Sequence, residues 1–187
     1  MPASTRNEFE RQILPHLGAA YGLARWLLRH PQDAEDAVQE AVIKAFNGFH
    51  GYQGGSAQGW LLAIVRNTCL TAIERRRSHG KVIVLADSAP GHQDRWRDTA
   101  ADPAPMADAA LITQEERRRV HAAIAALPTL FREVLVMREF NELSYREIAD
   151  IVGAPVGTVM SRLSRARERL AAELSGNQAK SDTEAKS

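Results

Sequence analysis

The chain is poor in the features that most often betray chemistry. It has one cysteine, Cys69, which excludes an internal disulfide and any multi-cysteine zinc site. The six histidines, at positions 16, 30, 50, 79, 92 and 121, are scattered, and no His, Cys or carboxylate set has metal-ligand spacing. No dinucleotide fingerprint, phosphate-loop lysine or nucleophile elbow occurs. These gaps argue against an enzyme and against a metal or organic cofactor. There is also no apolar run of the roughly 18 residues that a membrane-crossing helix requires, and the opening MPASTRNEFERQILPHL is charged throughout, unlike a secretory signal. A cytoplasmic protein without membrane insertion is therefore expected. No convincing strand pattern is present, so the fold expected is all-α.

Net charge is only +1 over 187 residues, little for a nucleic-acid protein until the chain is divided. Residues 80–110 carry three Lys/Arg and five Asp/Glu, whereas residues 155–170 carry four Arg against one Glu. Local fields matter more than the sum. The 80–110 stretch, rich in Pro, Asp and Ala and without sustained periodicity, reads as a flexible linker between an N-terminal domain (1–79) and a C-terminal domain (111–174). The tail at 175–187 is small and polar and is expected to be disordered.

The sharpest signal is LSYREIADIVGAPVGTVMSRLSRARERL, near the end of the C-terminal domain. Ser144 with Glu147 three residues later makes a capping box, Gly153 suits the left-handed end of a helix, and Pro155 belongs in the opening turn of the next. In that second helix Val156, Val159, Leu163, Ala166 and Leu170 form one apolar stripe. Thr158, Ser161, Arg162, Arg165 and Arg169 lie opposite, a polar and guanidinium-bearing face that fits a major groove. A basic amphipathic helix alone is usually a solvated surface helix; the capped helix and glycine turn before it turn the reading to a helix-turn-helix. Ahead of it, helices are expected at 111–127 and 128–139, with Leu130, Val134, Leu135, Met137 and Phe140 packing beneath.

In the N-terminal half, DAEDAVQEAVIKAF is a helix started by Pro31 and an acidic first turn. Ala34, Val38, Ala41, Val42 and Ala45 form its inner stripe, while Asp36, Gln39, Glu40 and apolar Ile43 lie on or beside the other face, a candidate partner surface. A glycine-rich loop with aromatics follows, then the helix QGWLLAIVRNTCLTAIERRRS. From Arg66 to Lys81 there are five cations and one acid, a density able to hold the backbone of a melted strand. Loop aromatics beside a basic helix suit unstacked bases, although Trp60 starts the apolar stripe and reads as core.

Residues 127–170 resemble the minus-35 binding domain of extracytoplasmic-function sigma factors, small bacterial sigma-70-type initiation factors. That half alone also looks like the helix-turn-helix of response regulators. The N-terminal half decides between them: its DAEDxxQE helix, its WLxxIxRN signature at Trp60, Leu61, Ile64, Arg66 and Asn67, and the YQGGS loop all resemble the sigma family. The resemblance implies core RNA polymerase contacts at Asp33, Asp36, Gln39 and Glu40. It implies melted minus-10 contacts at Tyr52, Gln53, Gly54, Gly55, Ser56, Arg66, Asn67, Arg75, Arg76 and Arg77. It implies minus-35 duplex contacts at Arg146, Thr158, Met160, Ser161, Arg162, Ser164 and Arg165, with Arg138 near phosphates, and an anti-sigma factor as regulator. Tyr52 and Gln53 stand where Phe and Arg are usual, and Met160 where a basic residue is common. The competing reading is a duplex-binding repressor or activator with an N-terminal interaction domain, which would bind a closed promoter without the polymerase.

Overall fold

A computed structural model of the chain describes residues 3–80 and 107–184, and every regular element in them is helical. The first helix, α1 (Ala3–Ile13), gives way at Pro15 to a single 3-10 turn, after which α2 (Leu17–Leu28) ends with Arg29 in the left-handed conformation at φ 66°. Extended His30 lets Pro31 open α3 (Pro31–Gly48), proline's fixed φ being already suited to a first helical turn. The buried stripe of α3 is Ala34, Ala37, Ala41 and Ala45. Methyl-sized side chains allow α2 and α4 (Ala57–Gly80) to lie close against it. Val38 and Val42, expected in that stripe, are only partly buried at its edge, because the closest packing runs along the alanines.

The loop between α3 and α4 turns on Gly54 and Gly55, at φ 89° and 94°, angles that side chains with a Cβ rarely adopt. Ser56 then caps α4, its hydroxyl accepting from the Gly59 amide at 3.0 Å. Leu61, Leu62, Val65 and Cys69 of α4 are wholly buried. Burial pushes the Cys69 thiol up to about 12, which keeps it protonated and inert at neutral pH.

The second half comprises α5 (Ala107–Ala126), α6 (Thr129–Glu139), α7 (Tyr145–Val152) and α8 (Val156–Glu184). The expected linker, 80–110, falls mostly outside the described residues, but its ends do not: Gly80 still belongs to α4, and α5 begins at Ala107 rather than 111. The alanine-rich start of that segment favours helix over linker. At the other end α8 runs to Glu184, so most of the polar tail is helical where disorder was expected; nothing in SGNQAKSDTE forces a stop once α8 is propagating. Leu130 and Phe140 are more than half exposed and Val156 is 38% exposed, against the expectation that all three pack inward. Each lies at the edge or end of its helix, where the core no longer reaches.

The turn between α7 and α8 forms as its residues require. Ser144 Oγ accepts from the Glu147 amide at 3.2 Å, the Glu147 carboxylate accepts from the Ser144 amide at 2.8 Å, and Gly153 caps α7 at φ 64°. Pro155 O accepts from the amides of Thr158 and Val159, opening α8.

The two halves do not stand apart. The α2 and α4 helices of the first pack on α6 and α7 of the second, and one apolar cluster runs from Phe9 and Ile13 through Leu61 and Val65 to Val136, Ile148 and Leu163. Polar groups cross the seam as well. Buried Arg132 donates to Trp26 O at 2.8 Å and to Leu127 O at 2.8 Å, placing a cation at the C-terminal end of α2, where carbonyls lack helical partners. Burial first, and Arg29 nearby second, lower its pKa to about 10, so it remains charged at neutral pH. Among the described residues no helix is long and apolar enough to cross a membrane.

Hydrogen bonds from Ser144, first through its hydroxyl and then its amide, hold the Glu147 carboxyl below its ordinary value of 4.5. A carboxylate lowered on folding stabilises fully above that value and loses its contribution as pH falls through the lower folded one. Ser144→Ala is expected to cost about 1 kcal/mol at neutral pH, and the difference from wild type should narrow in acid; urea denaturation at both pH values checks this.

Candidate nucleic-acid interface

On α8, Val159, Leu163 and Ala166 are buried against α6 and α7, which leaves Met160, Ser161, Ser164 and Arg165 facing solvent and Thr158 and Arg162 half-buried at the margin. Arg146, in the first turn of α7, is exposed. Two serines are already engaged locally: Ser161 Oγ donates to Thr158 O at 2.9 Å, and Ser164 Oγ to Glu168 at 2.9 Å. The charge on this face is therefore carried by Arg146, Arg162 and Arg165. Arg169 instead lies over the Phe131 ring at 4.8 Å, a cation–π contact that holds α8 to α6. Arg138 also turns inward, donating to Leu143 O at 2.8 Å and lying over Tyr145 at 5.1 Å, which fixes the α6–α7 connection instead of offering itself to a phosphate.

In the N-terminal half, Tyr52 stacks on Phe49 with ring centroids 5.6 Å apart and leans on Trp60 at 5.1 Å. Its hydroxyl donates to Gly55 O at 2.9 Å, tying the loop into a compact hairpin of chain. Gln53, Gly54, Gly55 and Ser56 are exposed on that loop. The result is a small aromatic platform with bare backbone beside it, and Trp60 supports it from the core side. Along α4, Asn67, Arg75, Arg76 and Arg77 face solvent, with Arg76 ion-paired to Asp33 of α3. Arg66 differs from them: its side chain is 11% exposed and its guanidinium is held by Glu133.

Asp36, Gln39 and Glu40 are exposed on the outer face of α3 and surround Ile43, which is 61% exposed. Glu40 accepts from Lys44 at 2.7 Å, and this hydrogen bond lowers its pKa. Asp33 is turned toward Arg76 and is the least available acid of the four.

Sequence reasoning passed over Arg132 and Glu133. The clue was present: in LFREVLVM two opposite charges interrupt a helix that is apolar on nearly every side, and charges in such a helix are buried with partners or not at all. What the pattern could not say is where the partners lie. Among the described residues no group of three or more His, Cys, Asp or Glu is placed to hold a metal ion.

Two family matches fall on the two helical halves. Residues 13–79 match Sigma-70 region 2, and residues 117–170 match Sigma-70, region 4. Over 167 residues the chain is 34% identical to the RNA polymerase sigma-H factor of Pseudomonas aeruginosa, covering 88% of this chain and 85% of that protein. It is 36% identical over 141 residues to the ECF RNA polymerase sigma-E factor of Escherichia coli K12, covering 74% and 72% respectively. Among solved structures, the sigma factor RpoE in complex with the anti-sigma factor NepR from Bartonella quintana superposes with a TM-score of 0.69 at 25% identity, covering 90% of this chain and 97% of that one. CnrH in complex with the cytosolic domain of CnrY shares the fold, at a TM-score of 0.63 and 22% identity, covering 91% and 90%. With both regions present in order and relatives of this identity matched over most of their length, the chain belongs to the extracytoplasmic-function sigma factors of the sigma-70 family, the transcription initiation factors whose regions 2 and 4 bind the minus-10 and minus-35 promoter elements.

Proposed function

We propose that this chain works as an alternative sigma factor through residues 1–79, which contact core polymerase and the opened minus-10 strand, and residues 111–174, which read the minus-35 duplex, with the stretch between α4 and α5, inside the 80–110 segment, as the tether between them. The observation that carries the reading is the pairing of two unlike surfaces in one chain: an arginine-bearing helix-turn-helix face on α7 and α8, and an aromatic, glycine-bare loop at the head of basic α4. The first suits stacked duplex and the second suits bases that have left the stack. A repressor needs the first surface only.

Arg146, Arg162 and Arg165 supply cations to the minus-35 element, with Thr158, Met160, Ser161 and Ser164 completing the surface. Tyr52 offers a ring face to a flipped base, while Gln53, Gly54, Gly55 and Ser56 allow close backbone approach and Asn67, Arg75, Arg76 and Arg77 follow the strand. Gln53 brings no positive charge, so the phosphate attraction near the loop comes from α4. Asp36, Gln39 and Glu40, with Asp33 at their edge, meet polymerase around Ile43. The chain adds no catalytic group; phosphodiester chemistry belongs to the polymerase, and the setting is the cytoplasm. An anti-sigma factor is the expected regulator, in keeping with the complexes formed by its structural neighbours.

Run-off transcription with purified core polymerase tests the reading: initiation at defined sites that requires this chain is the expected result, and binding to a closed promoter without polymerase would favour the repressor. Arg162→Ala and Arg165→Ala should each weaken promoter binding by roughly 1 to 3 kcal/mol where the guanidinium reads a guanine, measured by titrating holoenzyme onto promoter DNA. Tyr52→Phe keeps the ring and should preserve strand opening, whereas Tyr52→Ala should weaken capture of the opened strand by roughly 1 to 3 kcal/mol, read from permanganate reactivity of unpaired thymines.

A further inference from the structure

A cavity of about 430 Å³ lies between α2, the start of α4, the end of α6 and the turn into α7. Gly18 and Gly22 of α2 line one side of it. Trp26 and Phe140 make an aromatic wall with ring centroids 5.6 Å apart, and Trp26 is steadied by His121, stacked on it at 5.0 Å. Nothing in the packing calls for glycine on α2: a Cβ added to Gly18 or Gly22 meets no atom within 4 Å. Glycine inside a helix is destabilising, so the two residues leave this space open although they weaken α2.

The polar end of the cavity is unbalanced. Asn141 is 9% exposed, and its Oδ1 has no hydrogen-bond partner among the described residues. Its backbone is engaged, the amide donating to Val136 O at 3.2 Å and the carbonyl accepting from Gln58 Nε2 at 3.1 Å. Glu142, also lining the cavity, is exposed and has no ion-pair partner among the described residues. It stands at φ 57° just past the end of α6, where the Leu143 amide donates to Met137 O at 3.1 Å and where helices commonly finish on glycine. A glutamate is strained in that conformation, and what it brings over glycine is a carboxylate at the rim.

We propose that this cavity binds a small organic amine, a protonated nitrogen carried on a flat apolar body, with the body against Trp26 and Phe140 and the ammonium shared by Asn141 Oδ1 and the Glu142 carboxylate. Two acceptors, one of them charged, ask for a cationic donor. An anion meets the Glu142 charge, and a neutral donor leaves that charge uncompensated. The asparagine oxygen is within reach because the terminal torsion of an amide side chain is soft and lets it swing toward a donor entering the cavity. Its size falls within the roughly 300–1,000 Å³ of small-molecule sites, and apolar walls with a few convergent polar groups are their usual make-up. None of the residues assigned above to promoter or polymerase lines this cavity, so the inference stands apart from that reading.

Isothermal titration calorimetry on the full-length chain at neutral pH tests it, with phenethylamine as the probe and its neutral and anionic counterparts, 2-phenylethanol and phenylacetate, beside it. Phenethylamine should bind about tenfold more tightly than the alcohol, the difference between a charge-assisted and a neutral hydrogen bond, and phenylacetate should not bind. Glu142→Gln should keep the apolar contact and bring amine and alcohol to near parity. Gly22→Phe puts a ring of the chain's own into the space and should abolish binding of both, with helical content checked by circular dichroism. Gly18→Phe serves the same purpose where the first variant disturbs α2, and Glu142→Gln, at an exposed position, decides alone where both do. Absence of phenethylamine binding at millimolar concentration overturns the proposal. So do equal affinities of amine and alcohol for the wild type, binding retained by a folded Gly22→Phe, or an unaltered preference for the amine in Glu142→Gln.

Discussion

A carboxylate taken wholly out of water must meet a cation, and in this chain Glu133 meets Arg66 across the boundary between two helical bundles. That pairing ties α4 to α6 at one point, beside the packing of α2 on α6 and of α4 on α7. Arg132, the preceding residue, points toward the end of α2 and satisfies a helix-terminal carbonyl there. With α2, α4, α6 and α7 so related, the apolar side chains of both halves merge into one cluster. The charges add specificity more than stability, since desolvation offsets much of their attraction, whereas the surrounding leucines, valines and alanines supply the net gain.

The closed arrangement leaves the surfaces of the two halves unequally available. The outer face of α8 and the acidic face of α3 stand in solvent. The aromatic loop is exposed at its glycines, yet its first capping residue, Ser56, reaches toward Glu147 of the other half, and Gly59 lies beside Ile151. Promoter elements separated along a duplex cannot both be reached by two bundles fused along a seam.

Local features were legible because local physics decides them. The capping box at Ser144, the left-handed Gly153 and the helix opening at Pro31 depend on a few neighbouring residues and appear as read. The ends of the 80–110 and 175–187 segments were misread because low periodicity and polarity do not exclude helix when a flanking helix is already propagating. Leu130, Phe140 and Val156 were misplaced because an apolar side chain at the edge of a helix is buried only if the next element reaches it. Arg138 and Arg169 show the converse: arginines credited to a DNA surface turn back on a carbonyl and on aromatic rings.

Sequence alone determined that this is an all-α fold with a C-terminal helix-turn-helix, a helix with an acidic face and a glycine loop ahead of a basic helix, since periodicity, capping and turn chemistry act over a few residues. Only the tertiary structure decided which charges face water and which face each other. Arg66 and Arg75 look alike in the sequence, and one is largely covered while the other is exposed, because burial depends on a partner surface whose residues lie far along the chain.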